Sequence, residues 1–106
     1  MLLHIVLMKK RPTVGDAEVD ALRGAILGLR DLVPGIVSID WGWNTSPEGL
    51  GHGYELGFVV AFEDAAARDA YLPHPDHQAA VPFVRAVAET VLVYDLEVAA
   101  FPAGTS

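Results

Sequence analysis

Two side chains that can move protons, Tyr71 and His77, lie on either side of Pro73. Pro73 must end the preceding helix because proline lacks the amide donor, and Pro75 is suited to the first position of a new helix. His77 then lies in the first turn, where the helix dipole disfavours imidazolium and leaves neutral imidazole as a base. The Tyr71 hydroxyl can donate to a developing enolate or oxyanion. If the pocket holds a substrate with an acidic C–H, these two groups make an enolising or aldol-type site chemically possible, with His77 as general base and Tyr71 as oxyanion donor.

Structural roles are the alternatives for the same residues. Tyr71 can be a core residue with its hydroxyl at the rim, and His77 can be a packed or solvent-facing histidine of the first turn. His74, followed by Pro75, is most simply a device that starts a helix. His4, on a strand with apolar neighbours, can be a hydrogen-bonded core histidine. The sequence leaves these alternatives open.

A metal site is the other chemistry to consider, because His74, Asp76 and His77 are close in sequence and Asp95 could approach them. Their spacing is not the i, i+4 arrangement of a zinc-binding helix. No helix is expected after the glycine-rich segment 49–53, so it does not predict a nucleotide site. We therefore expect neither a catalytic metal nor a cofactor.

Length and composition predict one domain that associates with itself. The chain has 106 residues, and hydrophobic residues make up 52% of them. A domain of this size leaves about a third of its unfolded-chain surface exposed after folding. The apolar content exceeds what one such domain easily hides, which favours a homo-oligomer.

Charge and cysteine content exclude several classes of partner. The net charge of −7 would repel a phosphate backbone, and the only basic cluster is Lys9–Arg11, so we expect no nucleic-acid partner. There is no cysteine, hence no disulfide framework and no thiolate site. The apolar stretch Met1–Met8 is too short to span a membrane and lacks the features of a signal peptide. We expect a cytoplasmic protein with no membrane partner.

The order of predicted elements is strand, helix, strand, strand, helices, strand. Hydrophobic spacing predicts a strand buried on both faces at 2–8, a hairpin of strands at 36–44 and 54–62, and a last strand at 91–98. The first helix is predicted to be capped by Thr13 and ended by Pro34-Gly35, and a short helix runs from the cap Asp64 to Leu72. A further helix begins at Pro75, and Pro82 kinks or splits it before Phe83–Glu89.

This order is typical of the ferredoxin-like split β-α-β fold, an α+β class with a four-stranded antiparallel sheet. Helices cover only one face of such a sheet. The other face is substantially apolar by its period-two pattern, so two sheets are expected to pack face to face as a dimeric α+β barrel.

Several short segments together resemble a known family. They are His4-Ile-Val-Leu-Met-Lys9, Pro34-Gly35-Ile-Val-Ser, Gly53-Tyr54-Glu-Leu, Phe62-Glu63-Asp64, Tyr71-Leu-Pro-His74-Pro75-Asp-His77 and Val93-Tyr-Asp95. In this order and spacing they resemble the stress-responsive dimeric A/B barrel family, called Dabb, which includes olivetolic acid cyclase-like proteins. The resemblance covers residues 2–98. We accordingly expect one Dabb domain at 1–98 and a flexible C-terminal tail at 99–106.

The resemblance implies a homodimer with a small-molecule pocket between the sheet and helices of each subunit. The olivetolic acid cyclase-like branch closes a linear polyketide by an intramolecular aldol condensation without a metal or organic cofactor. The catalytic tyrosine and histidine of that branch match Tyr71 and His77, and its pocket histidine matches His4. The substrate-binding residues expected here are His4, Val6, Met8, Trp41 and His74.

The resemblance also leaves more than one function open. The first is a cofactor-independent cyclase, lyase or isomerase acting on a carbonyl-rich or aromatic metabolite. The second is a non-catalytic, stress-associated or ligand-binding barrel. The third is a cofactor-free or haem-degrading monooxygenase of the same barrel type, suggested by Trp41, Trp43 and Asn44. Pro82 and the two bulky indoles depart from the family pattern, so substrate shape is not carried over.

Overall fold

The computed structural model describes residues 1–99, and its elements follow the predicted order. They are β1 (Leu2–Lys10), α1 (Asp16–Gly28), a 3-10 turn (Leu29–Asp31), β2 (Ile36–Trp43), β3 (Leu56–Phe62), α2 (Ala65–Tyr71), α3 (Pro75–Val87) and β4 (Ala88–Glu97). The predicted tail lies outside the described residues, apart from residue 99. The architecture is the ferredoxin-like α+β fold expected from the sequence.

One antiparallel sheet with the strand order β2-β3-β1-β4 forms the base of the fold. Alternate residues of β1, from Leu2 to Met8, are buried against the helices, whereas the residues between them are half-buried. This alternation is the period of two that a pleated strand imposes. The prediction that both faces of β1 are buried therefore holds on only one face within a single chain.

The hydrophobic core lies between the sheet and the helices. Its members come from all layers: Leu2, Val6, Met8, Val19, Leu22, Ile26, Leu29, Val33, Leu56, Phe58, Val60, Phe62, Tyr71, Ala80, Val87 and Ala88. The apolar positions of α1 recur every three or four residues, so one stripe of the helix enters this core. The core thus fixes α1 and α3 on one face of the sheet.

The first helix differs at both ends from its prediction. Its N-cap is Gly15 in an extended conformation, not Thr13, and the Glu18 carboxylate accepts a hydrogen bond from the Gly15 N–H at 3.0 Å. The α-helix ends at Gly28 and tightens into the 3-10 turn. Gly35 has a φ of +88°, and a Cβ there would lie 2.8 Å from the Ala67 Cβ. Only glycine suits that turn.

The last helix is less divided than predicted and ends two residues earlier, because Ala88 and Glu89 already belong to β4. It runs from Pro75 to Val87 with Pro82 inside it, so the predicted split does not occur. Proline leaves the carbonyl of Gln78 without its helical donor. Both Pro82 and Gln78 are exposed, so water can take the place of that donor. Among residues 1–99, none of the helices combines the length and apolar character needed to cross a bilayer.

The sheet face opposite the helices is bare in the single chain. The register pairs Leu3 with Leu96, Ile5 with Tyr94 and Leu7 with Leu92, so all six side chains belong to this face. The three partners on β4 are exposed. The predicted apolar second face is therefore present.

Candidate active site

Tyr71 is the last residue of α2, which Pro73 prevents from continuing. Its side chain is only 1% exposed. The ring centroids lie 5.0 Å from Phe62 and 4.3 Å from His77. Burial raises the pKa of Tyr71 to about 12 because desolvation penalises the phenolate. The phenol therefore stays protonated at neutral pH and is available as a hydrogen-bond donor.

His77 lies in the first turn of α3, three positions after the cap His74. Its Nδ1 is 2.8 Å from the carbonyl oxygen of Leu72. A carbonyl only accepts, so Nδ1 carries the proton and Nε2 is the acceptor nitrogen of the neutral ring. Burial lowers the pKa of His77 below 6.5, against the opposing effect of the Leu72 bond, and the nearby His4 and His74 lower it further. Neutral His77 can act as a base through Nε2.

A second histidine, His4, is held by a carboxylate. His4 and Asp95 are direct cross-strand partners on β1 and β4, and Nδ1 of His4 lies 2.7 Å from Oδ1 of Asp95. An ionised carboxylate only accepts, so Nδ1 donates and Nε2 is the nitrogen left for a ligand. The His4 and Tyr71 ring centroids are 6.0 Å apart. The imidazoles of both His4 and His77 thus lie next to the Tyr71 phenol.

The other oxygen of Asp95 binds an arginine. Nη1 of Arg68, on α2, donates to Oδ2 at 2.9 Å. Burial raises the pKa of Asp95, but the hydrogen bonds from His4 and Arg68 outweigh it and hold the pKa below its usual value. Asp95 is consequently a carboxylate at neutral pH.

These side chains line a cavity of about 340 Å³ between the helices and the β4 side of the sheet. Its polar lining consists of His4, Tyr71, His77 and Asp95. The rest is apolar: Val6, Ile26, Phe58, Leu72, Ala80, Val81, Val84, Val91 and Val93. Such a lining, a mostly apolar wall with a few convergent polar groups, is typical of small-molecule sites.

The structure brings some of the expected site residues together and separates others. His4, Val6, Tyr71 and His77 share the cavity, whereas the other three expected residues do not line it. Met8 is fully buried in the core, and Trp41 stacks on Phe58 with ring centroids 6.1 Å apart. The Nδ1 of His74 accepts from the Asp76 N–H at 3.1 Å and so caps α3. Substrate contact by these three residues stays a prediction.

Sequence reasoning missed the roles of Asp95 and Arg68. The pairing of Asp95 with His4 spans 91 positions and depends on the register of β1 with β4. The available signal was a carboxylate among the mostly apolar residues 91–96, since a buried charge needs a partner. Arg68 gave no such signal, because an arginine on a short surface helix is ordinarily solvated.

A larger cavity, of about 780 Å³, lies at the β2–β3 end of the sheet. Trp41, Trp43 and Asn44 contribute to its lining together with His52 from the hairpin loop, whereas His77 lines the smaller cavity. The residues that suggested a monooxygenase are thus apart from His77. Within the described part of the chain, no three His, Asp or Glu side chains are grouped as a metal site.

Comparison with known proteins identifies the family and agrees with the fold. The sequence profile of the stress-responsive A/B barrel domain, Dabb, matches residues 2–98. Olivetolic acid cyclase from Cannabis sativa is 22% identical over 92 residues, which cover 87% of this chain and 91% of that protein.

Two solved structures share the architecture. A dimeric ferredoxin-like protein of unknown function from Jannaschia sp. CCS1 is 34% identical, with a TM-score of 0.75 over 92% of this chain and 98% of that one. The hydroxynitrile lyase from Passiflora edulis has a TM-score of 0.84 over 95% of this chain and 96% of that one. At 17% identity the lyase shows likeness of fold alone.

Proposed function

The chain belongs to the stress-responsive A/B barrel family, and on that premise we propose that it catalyses proton transfer at carbon in a small carbonyl ligand. The reaction class is that of a cyclase, lyase or isomerase, with aldol-type ring closure as the example. The observation that carries the proposal is the Tyr71–His77 pair, whose ring centroids are 4.3 Å apart in the wall of the 340 Å³ cavity.

The first step would be enolisation. Nε2 of His77 takes the proton from a carbon next to the ligand carbonyl, and the C–H electron pair moves into that carbonyl. Its oxygen becomes the enolate oxygen and accepts a hydrogen bond from the Tyr71 hydroxyl. Because burial keeps Tyr71 protonated, the phenol can stabilise this charge without losing its own proton.

Ring closure would follow within the same ligand. The enolate carbon forms a bond to a second carbonyl carbon, and the alkoxide produced there takes the proton back from His77. His4, oriented by Asp95, offers Nε2 as a further hydrogen-bonding group for the ligand. The apolar wall would hold the aromatic or alkyl part of the ligand away from water. A curated relative that is named as a cyclase supports this class of reaction.

The working assembly in this proposal is a homodimer formed through the bare sheet face. That face exposes Leu92, Tyr94 and Leu96 in the single chain, a patch that a globular protein ordinarily covers. The Jannaschia structure is described as dimeric, which supports the same arrangement here. Packing of the two bare faces would leave the Tyr71–His77 cavity on the helix side of each subunit.

A substrate screen tests the proposed reaction. Wild type and His77→Ala would be incubated with a panel of linear polyketide analogues and β-keto acids, and consumption and products followed by mass spectrometry. His52→Ala is the matched control, since His52 lies in the hairpin loop and does not line this cavity. We expect turnover by wild type and His52→Ala but not by His77→Ala. Binding of panel members without turnover would instead favour a ligand-binding barrel.

A further inference from the structure

Arg68 bridges two elements of the site that otherwise touch little. From α2, its Nη1 reaches Oδ2 of Asp95 on β4 at 2.9 Å, while Nη2 lies 3.0 Å from Oδ1 of Asp69 on its own helix. The two Asp95 oxygens are divided, Oδ1 to His4 and Oδ2 to Arg68. A continuous polar chain therefore runs from Asp69 at the surface to the imidazole in the cavity.

This chain is more than a surface ion pair. The Arg68 and Asp95 side chains are each about three-quarters buried, and His4 at the inner end is almost wholly buried. Arg68 also lies one helical turn before Tyr71 on α2. Arg68 thus binds the Asp95 carboxylate that holds His4, and it lies on the same short helix as Tyr71.

We propose that Arg68 is a positioning residue of this site, which shares the Asp95 carboxylate with His4, weakens the electrostatic pull of that carboxylate on the imidazole and so keeps His4 oriented toward the cavity. A carboxylate bound to His4 alone would favour the imidazolium, because an opposite charge within hydrogen-bond distance stabilises the charged ring. The guanidinium offsets that charge. It also occupies Oδ2, so that Oδ1 remains the acceptor for the Nδ1–H of His4.

The charged and titratable groups that face His4 come from three elements. Asp95 approaches from β4, Tyr71 from α2 and His77 from α3, with Arg68 behind Asp95. Tyr71 is neutral, and a protonated His77 would repel a charge on His4. Arg68 is the one permanent cation of this set, so its removal should change the protonation of His4 more than that of His77.

The experiment is a pH titration of the histidine ring signals by NMR, which needs no substrate. The variants are Arg68→Met, Arg68→Lys and the control Asp69→Asn, which removes the charge of the outer partner of Arg68 but leaves the bond to Asp95. His4→Gln and His77→Gln assign the signals. In Arg68→Met we expect the midpoint of His4 to move up by on the order of 0.5 pH units. Arg68→Lys should move it less, and Asp69→Asn hardly at all.

The outcomes separate this role from a purely structural one. An Arg68 that only ties α2 to β4 would lower the melting temperature on replacement but leave the His4 midpoint in place, which would overturn the proposal. An equal movement in Asp69→Asn would overturn it as well. The positioning role rests on the proposed function, but the titration does not. If no substrate is turned over in the screen but the His4 midpoint moves in Arg68→Met, the proposed reaction would be rejected. The proposal that Arg68 and His4 share the Asp95 carboxylate would still stand.

Discussion

The rings of Tyr71 and His77 lie 4.3 Å apart although they belong to different helices. The corner between the helices sets this distance through backbone groups. The Tyr71 carbonyl accepts from the His74 N–H at 3.0 Å, and the Leu72 carbonyl accepts from both Nδ1 of His77 and Nε2 of Gln78 at 2.8 Å. The corner thus fixes the phenol and the imidazole relative to each other before any ligand binds.

Replacing Tyr71 by Phe tests the oxyanion donor. The ring and its contacts with Phe62 and His77 are kept, so the melting temperature should change little. Turnover of a verified substrate should fall on the order of 10²-fold or more, because one oxyanion donor is lost. Steady-state kinetics and thermal unfolding measure the two effects. Full turnover in Tyr71→Phe would assign the tyrosine a packing role instead.

His77 should make stability depend on pH. Its folded-state pKa lies below the ordinary 6.5, so the unfolded chain takes up a proton at a higher pH than the folded chain. The free energy of unfolding should therefore fall as the pH drops from about 6.5 toward the folded pKa, and it should lose nothing more below that point. Urea unfolding of wild type and His77→Gln at about pH 7.5 and about pH 5.5 measures this contribution.

The glutamine variant should lose less stability than wild type between these two values. Asp95 does not affect this comparison. Its pKa is lowered, so its contribution to the free energy of unfolding is lost only at pH values below 3.8, outside the measured range. An identical loss in both proteins would mean that His77 is equally protonated in the folded and unfolded chains.

Asp95→Asn tests the support of His4. The amide is neutral and has one acceptor oxygen where the carboxylate has two, so it can accept from His4 or from Arg68 but cannot hold both as Asp95 does. We expect turnover to fall on the order of 10-fold to 10²-fold, as for loss of a partner that orients a histidine. Asp69→Asn is the matched control, because Asp69 binds Arg68 but not His4. Similar losses in both variants would point to a general effect of charge.

The bare sheet face predicts the oligomeric state. Tyr94 is 56% exposed on that face in the single chain, whereas Leu32, 57% exposed, caps the 3-10 turn and belongs to no strand of the sheet. Tyr94→Asp should convert the dimer to a monomer near 11.3 kDa at micromolar concentration, whereas Leu32→Asp should leave the dimer intact. Light scattering after size exclusion measures both. A wild-type monomer would remove the basis for the barrel.

The sequence predicted the parts of the fold that depend on local pattern. Period-two runs and prolines placed the strands and the corner at Pro73–Pro75, and thereby the Tyr71–His77 pair. The cap of α1 was wrong because Thr13 and Gly15 both precede an acidic residue at capping distance, and only the backbone conformation chooses between them. The continuity of α3 through Pro82 depends on exposure, which the sequence does not give directly.

The missed part of the site depends on contacts distant in sequence. The bonds from Asp95 to His4 and to Arg68 span 91 and 27 positions. Both require the strand register and the position of α2 over the sheet, and a shift of one residue in β4 would turn Asp95 to the bare face. Such pairings follow from the folded structure rather than from spacing.

Deuterium exchange at carbon is the most direct test of proton transfer by this cavity. A panel of β-diketones and β-keto esters would be incubated in D₂O, and the loss of the α-proton signal followed by NMR with wild type, Tyr71→Phe and His77→Gln. His77 as base and Tyr71 as donor predict exchange above the buffer rate for wild type, slower exchange for Tyr71→Phe and none above buffer for His77→Gln. Undiminished exchange with His77→Gln, or no exchange by wild type of compounds that it binds, would contradict proton transfer by this pair.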